Sequence, residues 1–281
     1  MYNFGNKLFL LISIIISFLL LCIFFYINND KSFEYDTKLL KLFDKNEYKF
    51  IAHAGGGIDE LKYTNSLEAL NLSIAKGYKL IELDLRETID GHFVGVNTWL
   101  KYKKDNLFKE GDINNEPLYL NEFKKIKIFK KYTPLTINEI NNVFSKYKDL
   151  ILVIDKTNNF EKINKDFLFD KNRIIVEIFG KRNYFKSIKA GISNPMFSAN
   201  SEDYDFILKN NIKMITAHSA DIINNSEIYK KLTNLGIKVF AYSSNNKKFI
   251  VDNLNNTISG VYTDFWDIQN NECSSTECVT Y

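Results

Sequence analysis

The chain has 281 residues and a net charge of +3, with 37 Lys and Arg against 34 Asp and Glu. That length allows one large domain or two small ones, and the near-balance of charge gives no electrostatic case for nucleic acid. None of the Cys/His spacings is of the zinc-binding type. In chain order, the first feature is an apolar run from Leu8 to Ile27, softened only by Ser13, Ser17 and Cys22. Twenty helical residues span about 30 Å, the thickness of a bilayer core. A cleaved signal peptide has a shorter apolar region, about 7–15 residues, and a small-residue cleavage site, which this run lacks. Residues 1–27 therefore read as an uncleaved signal anchor and transmembrane helix. Lys7 before it, with Asp30 and Lys31 after it, favours a body on the extracytoplasmic side. Residues 28–48 are polar and read as a stem.

From Lys49 onward, short apolar runs alternate with amphipathic ones. The expected strands are 49–54, 79–85, 93–97, 150–155, 174–179, 195–199, 213–218 and 238–243, rich in Ile, Val and Phe as buried parallel strands are. Between them lie helical patterns. Ser66–Lys76 has Asn65 as its expected N-cap and Gly77 as its C-cap. Ile137–Lys146 follows Thr136, with Glu139 completing a capping box. Ser226–Leu235 stops at Gly236. Eight strands alternating with helices predict a (β/α)8 TIM barrel over residues 49–268, preceded by one N-terminal transmembrane helix; a doubly wound open sheet is the rival. Residues 100–132 lack periodicity and fall after the third expected strand, as a substrate-facing insertion or a plain surface excursion. In the tail, 269–281, Cys273 and Cys278 are close enough to pair in an oxidising compartment and equally compatible with free thiols.

The chemistry concentrates in residues 51–99. His53 ends one apolar run. Glu82 and Asp84 lie two apart in the next, and on a strand such residues face the same way. Two carboxylates held together need a shared proton or a cation between them, and a hard divalent ion with oxygen ligands is the economical partner. The alternation of Ile81, Leu83 and Leu85 with them also fits the solvent face of a half-buried sheet. Further along, Asp155 ends the fourth expected strand. Glu177 sits within an apolar run on the fifth, where a charge is rarely buried unpaired; it fits either a site contact or a salt bridge.

The order His53-Ala-Gly-Gly, Tyr63-Thr-Asn65-Ser, Glu82-Leu-Asp84, Thr88-Ile-Asp90-Gly, Thr133-Pro-Leu-Thr136 and Tyr262-Thr-Asp264 resembles the glycerophosphodiester phosphodiesterase family, and more narrowly its Ala-His-Ala-Gly-Gly subgroup. The resemblance runs from Ile51 to about Ile268. It implies a TIM barrel that hydrolyses one P–O ester bond of a phosphodiester, a glycerophosphodiester or a lipid headgroup. His53 would be one of two acid/base histidines. Glu82, Asp84 and Asp155 would bind a divalent cation, Ca2+ or Mg2+. Tyr242 would be the aromatic of the last strand, at the substrate.

The chain departs from the family twice. The second catalytic histidine is replaced by Asn97, which neither takes up nor gives up a proton near neutral pH. The lysine two residues beyond the strand-four acid is replaced by Thr157, and period-two alternation points Lys156 to the opposite face. Of the other histidines, His92 is expected in a solvated turn at the wrong end of the barrel. His218 ends the seventh expected strand on the correct face, but diametrically opposite the third. Three readings follow: an active phosphodiesterase working with His53, the cation and a positioning Asn97; an impaired barrel that binds a phosphorylated glycerol or lipid headgroup without turnover; and an enzyme of altered chemistry that recruits His218 or Glu177.

Overall fold

The computed structural model describes residues 14–17, 33–106, 108–276 and 278. The chain divides into two units, 1–34 and 35–281. In the first unit, residues 14–17 are helical and Ile14, Ile15 and Ile16 are exposed. The rest of the apolar run 8–27, and with it the expected anchor, lies outside the described residues. Among the described residues no helix is long and apolar enough to cross a membrane.

The second unit is a closed parallel barrel. Its strands are β1 (Phe50–Ala52), β2 (Leu80–Glu87), β4 (Ile151–Asp155), β5 (Ile174–Phe179), β6 (Pro195–Ser198), β7 (Met214–His218), β8 (Lys238–Tyr242) and β9 (Gly260–Thr263). They are hydrogen-bonded in the order β1-β9-β8-β7-β6-β5-β4-β2, and a parallel β1–β2 pairing closes the ring. The eight barrel strands are not the eight expected from sequence. Residues 93–97 do not supply a barrel strand: Phe93–Gly95 (β3) pairs antiparallel with Leu85–Glu87, as a hairpin on the far end of β2. Gly260–Thr263 takes the missing place. Its glycine reflects crowding, since a Cβ at Gly260 would lie 2.6 Å from the Lys49 carbonyl oxygen.

The strands are buried on both faces because the barrel is closed and covered by helices. Ile81, Leu83, Leu85, Leu152, Ile154, Val176 and Ile178 point outward into the layer shared with helix residues such as Leu70, Ile140 and Phe144. The alternate positions face the barrel axis, and Glu82, Asp84, Asp155 and Glu177 are among them and buried. Fully burying an aliphatic side chain contributes about 1.5–3 kcal/mol, so the outer layer stabilises strands whose inner face carries charge.

Local signals fix the helices. Thr136 and Glu139 form the expected reciprocal capping box on Ile137–Lys146. Gly236 takes φ +80° just after the helix Ser226–Asn234. The helix Leu67–Ala75 is capped by Ser66, not Asn65: the Ser66 hydroxyl accepts from the Ala69 N–H at 3.2 Å, which frees the Asn65 amide for the site. Part of the expected stem also belongs to the barrel unit. In residues 35–48, the helix Thr37–Leu42 buries Leu39, and Phe43 packs edge-on against Phe240 at 5.0 Å. The insertion after β3 has its own small core of Val94, Val96, Trp99, Tyr102, Phe123, Ile128 and Tyr132. Cys273 and Cys278 form a disulfide.

Candidate active site

Glu82, Asp84 and Asp155 converge by register. Asp84 on β2 and Asp155 on β4 are direct partners across the parallel pair, and Glu82 lies one pleat below Asp84. One oxygen from each lies within 4.8 Å of the others, and all three residues are buried. Their partners differ. Asp84 is clamped by amides: its Oδ2 accepts from Asn65 Nδ2 at 2.9 Å and its Oδ1 from Asn97 Nδ2 at 2.8 Å. The Asp84 N–H donates to Asn65 Oδ1 at 3.0 Å. Glu82 Oε2 accepts from the Ala54 N–H at 2.7 Å, while its Oε1 has no hydrogen-bond partner among the described residues. An unpartnered oxygen on a buried carboxylate that lies beside two further acids is costly unless a cation meets it. An all-oxygen, anionic donor set suits a hard divalent ion. The three residues fit such an ion. Burial first, and then the charge of Asp84, pushes the Glu82 carboxyl well above the usual carboxylate range.

Glu82 and Asp155 open on a cavity of about 340 Å³ at the C-terminal ends of the strands, with Asp84 buried behind Asn97. His53, Tyr63, Asn97, Lys101, Tyr242 and Ser243 contribute to its wall, with Glu177 and Tyr262 also facing it. His53 begins a tight turn after β1, in which Ala54, Gly55 and Gly56 have φ of 50°, 84° and 94°. A Cβ on Gly56 would lie 2.1 Å from Ser73 Oγ, so the turn admits only glycine there. His53 Nδ1 lies 3.0 Å from Asp264 Oδ1, and Asn245 Nδ2 donates to the other Asp264 oxygen at 2.8 Å. Asp264 thus fixes the imidazole through Nδ1 and leaves Nε2 for a ligand. Burial pulls the His53 pKa down, but the hydrogen bond and charge of Asp264, with Asp84 behind it, outweigh burial and leave it raised. Tyr63 packs edge-on against the ring at 4.6 Å.

Asn97 reaches the site by a route different from the expected one. Because β3 is antiparallel, the chain returns toward the barrel, and the Val96 N–H donates to the Asp84 carbonyl at 2.9 Å. Arg86 Nε holds the Asn97 carbonyl at 3.0 Å. The same geometry corrects the placement of His92. Its turn projects beyond the C-terminal end of β2, on the cavity side, yet His92 does not line the cavity and lies 3.9 Å from Asp90.

Lys156 is the larger correction. It does not continue the β4 alternation, because its backbone turns to φ +65°. Its ammonium contacts Asp155, lies 3.9 Å from Asp84 Oδ1, and faces the Phe179 ring with its nitrogen 5.3 Å from the centroid. Glu177 is held by two hydroxyls, Thr216 Oγ1 at 2.7 Å and Tyr262 OH at 3.0 Å. Burial, then the charge of Asp155, pushes its carboxyl up to about 7. Tyr242, at the end of β8, lines the cavity. His218 does not. It is exposed, its Nδ1 accepts from the Ala220 N–H at 3.1 Å, and its ring packs edge-on against Tyr242 at 5.5 Å. Sequence reasoning did not assign Asp264, Asn65, Asn245 or Tyr63 to the site. Asp264, Asn65 and Tyr63 stand in the quoted motifs, and Asn245 follows Tyr242 closely.

The barrel is the fold of glycerophosphodiester phosphodiesterase structures. A glycerophosphoryl diester phosphodiesterase from Parabacteroides distasonis superposes with a TM-score of 0.63 at 15% identity, over 88% of this chain and 96% of that one. A glycerophosphodiester phosphodiesterase from Thermotoga maritima gives 0.61 at 19% identity, covering 79% and 96%. An Oleispira antarctica phosphodiesterase, solved in complex with the product sn-glycerol-3-phosphate, gives 0.61 at 20% identity, covering 79% and 94%. No sequence model of a protein family matches the chain, and no curated protein does. The likeness at these identities is one of fold.

Proposed function

We propose that the chain is a divalent-cation-assisted phosphodiesterase acting on a glycerophosphodiester or a lipid headgroup, held at a membrane by residues 8–27 with the barrel on the extracytoplasmic side. One observation carries the chemistry. A buried carboxylate triad with an unpartnered Glu82 oxygen shares a cavity with a histidine oriented by a carboxylate. The Oleispira antarctica phosphodiesterase of the same fold, bound to sn-glycerol-3-phosphate, supports a phosphorylated glycerol as ligand. Glu82, Asp84 and Asp155 would hold Ca2+ or Mg2+. When bound, the ion offsets negative charge at the phosphoryl oxygens.

The protein's own groups do the rest. As the oxygen of a water adds to phosphorus and sheds its proton to solvent, the P–O ester bond breaks and the leaving alkoxide needs a proton. His53, its pKa raised by Asp264, is suited to deliver that proton from Nε2. Lys101 and Lys156 add positive charge to the cavity wall. Asn97 fixes Asp84 and supplies no proton transfer. The loss of one general acid or base typically lowers the rate about 100- to 10,000-fold. That same Asn97 amide favours a second reading, a barrel that binds a phosphorylated glycerol or headgroup without turnover. Recruitment of Glu177 as a base is disfavoured by the two hydroxyls that engage both of its oxygens.

Metal-dependent release of glycerol phosphate from glycerophosphocholine, by the full chain, separates turnover from binding. Ligand binding without product supports the second reading. Retention of the protein in the membrane pellet after alkaline wash tests the anchor, and release of a protein beginning after residue 27 overturns it.

A further inference from the structure

Lys156 follows β4 directly and holds a left-handed backbone conformation, uncommon for a residue with a long side chain. This turn alone puts the ammonium against the carboxylates. With strand geometry at 156 the side chain would point to the outer layer. The ammonium reaches Asp155 and approaches Asp84, while Glu82 Oε1 is left without a hydrogen-bond partner among the described residues. One positive charge thus serves part of a cluster of three acids. A divalent ion bound by all three residues competes with the ammonium for Asp155 and Asp84.

We propose that Lys156 is a tethered competitor of the divalent cation: ion binding displaces its ammonium from Asp155 and turns it toward the anionic substrate in the cavity. The proposal rests on the cation reading above. The displaced ammonium has somewhere to go. The side chain is 30% exposed, and the exposed face of Phe179 lies beside the ammonium at the cavity rim. Lys156 would keep the cluster partly neutralised before the ion arrives. It would also make ion occupancy and the lysine's availability to substrate a single event.

The test is calorimetric titration of the full chain with Ca2+ and with Mg2+, comparing wild type with Lys156→Met and Lys156→Gln. Removing a unit charge close to the ion should tighten binding about tenfold or more, since such charges repel measurably even at the effective dielectric of a protein surface. Both variants should melt cooperatively in the absence of ion. Unchanged or weaker affinity in both variants, with wild type binding the ion, overturns the competitor role and leaves the cation reading standing. No ion uptake by wild type or either variant overturns the cation reading itself, and this proposal with it.

Discussion

Replacing Glu82 by Gln should have opposite effects on the ion-free and ion-loaded protein. Glu82 is 1% exposed, faces two other acids, and has one oxygen with no hydrogen-bond partner among the described residues. An unsatisfied buried polar group costs about 1–3 kcal/mol, and a charged one more. Gln keeps an oxygen for the Ala54 N–H and puts an amide donor beside Asp84 and Asp155. The ion-free variant should therefore be at least as stable as wild type, and more stable by about 1–3 kcal/mol at a pH where wild-type Glu82 has lost its proton. For a domain of this size each kcal/mol moves Tm by about 2–4 °C. The ion reverses the order. At about 100 times Kd, a ligand that binds only the folded state adds about 2.7 kcal/mol, and the variant, one carboxylate short, should gain little. Melting curves in EDTA and in excess Ca2+ or Mg2+ read both effects. A Glu82→Gln protein that melts below wild type in EDTA, or gains as much from the ion, refutes the reasoning.

Three further outcomes follow from the same geometry. Asp264→Asn removes the charge that raises the His53 pKa, so the alkaline limb of the rate profile should move to lower pH and the rate should fall about 100-fold or more; an unmoved limb would contradict the pairing. Asn97→His should raise turnover on the order of 100-fold if the missing proton-transfer group is what limits the site; no gain in a variant that still binds the ion would point to the binding reading. In EDTA, stability should fall as pH rises from about 4.5 toward 7, because buried Glu82 and Glu177 hold protons that the unfolded chain releases, and His53 adds a loss of the same sign only above about pH 6.5. Denaturant titrations across that range check the slope, and a rise in stability would show that these carboxyls are ionised at little cost.

Where the sequence was informative, a local rule had a local cause. The barrel follows from alternating apolar runs, and Glu82 with Asp84 from the period of two. Asp155 joins them because parallel register places it beside Asp84. The misreadings arose where backbone geometry departs from the regular element. The reading of 93–97 as a barrel strand took an antiparallel return for a parallel strand, since apolarity does not encode direction, and so hid Gly260–Thr263. Lys156 was placed outward by an alternation that its own φ breaks. Asn65 looked like a cap because Asn commonly is one, but Ser66 caps the helix and Asn65 holds Asp84. Asp264 pairs with His53 across 211 residues, a contact that only ring closure between β1 and β9 creates.

Product release from glycerophosphocholine by the full chain with Ca2+ or Mg2+, measured beside His53→Ala, is the most direct test of the site. Glycerol phosphate should form, EDTA should abolish its formation, and His53→Ala should lower the rate by about 100-fold or more. Turnover that persists in EDTA, or that His53→Ala leaves unchanged, would contradict the roles given to the ion and to His53.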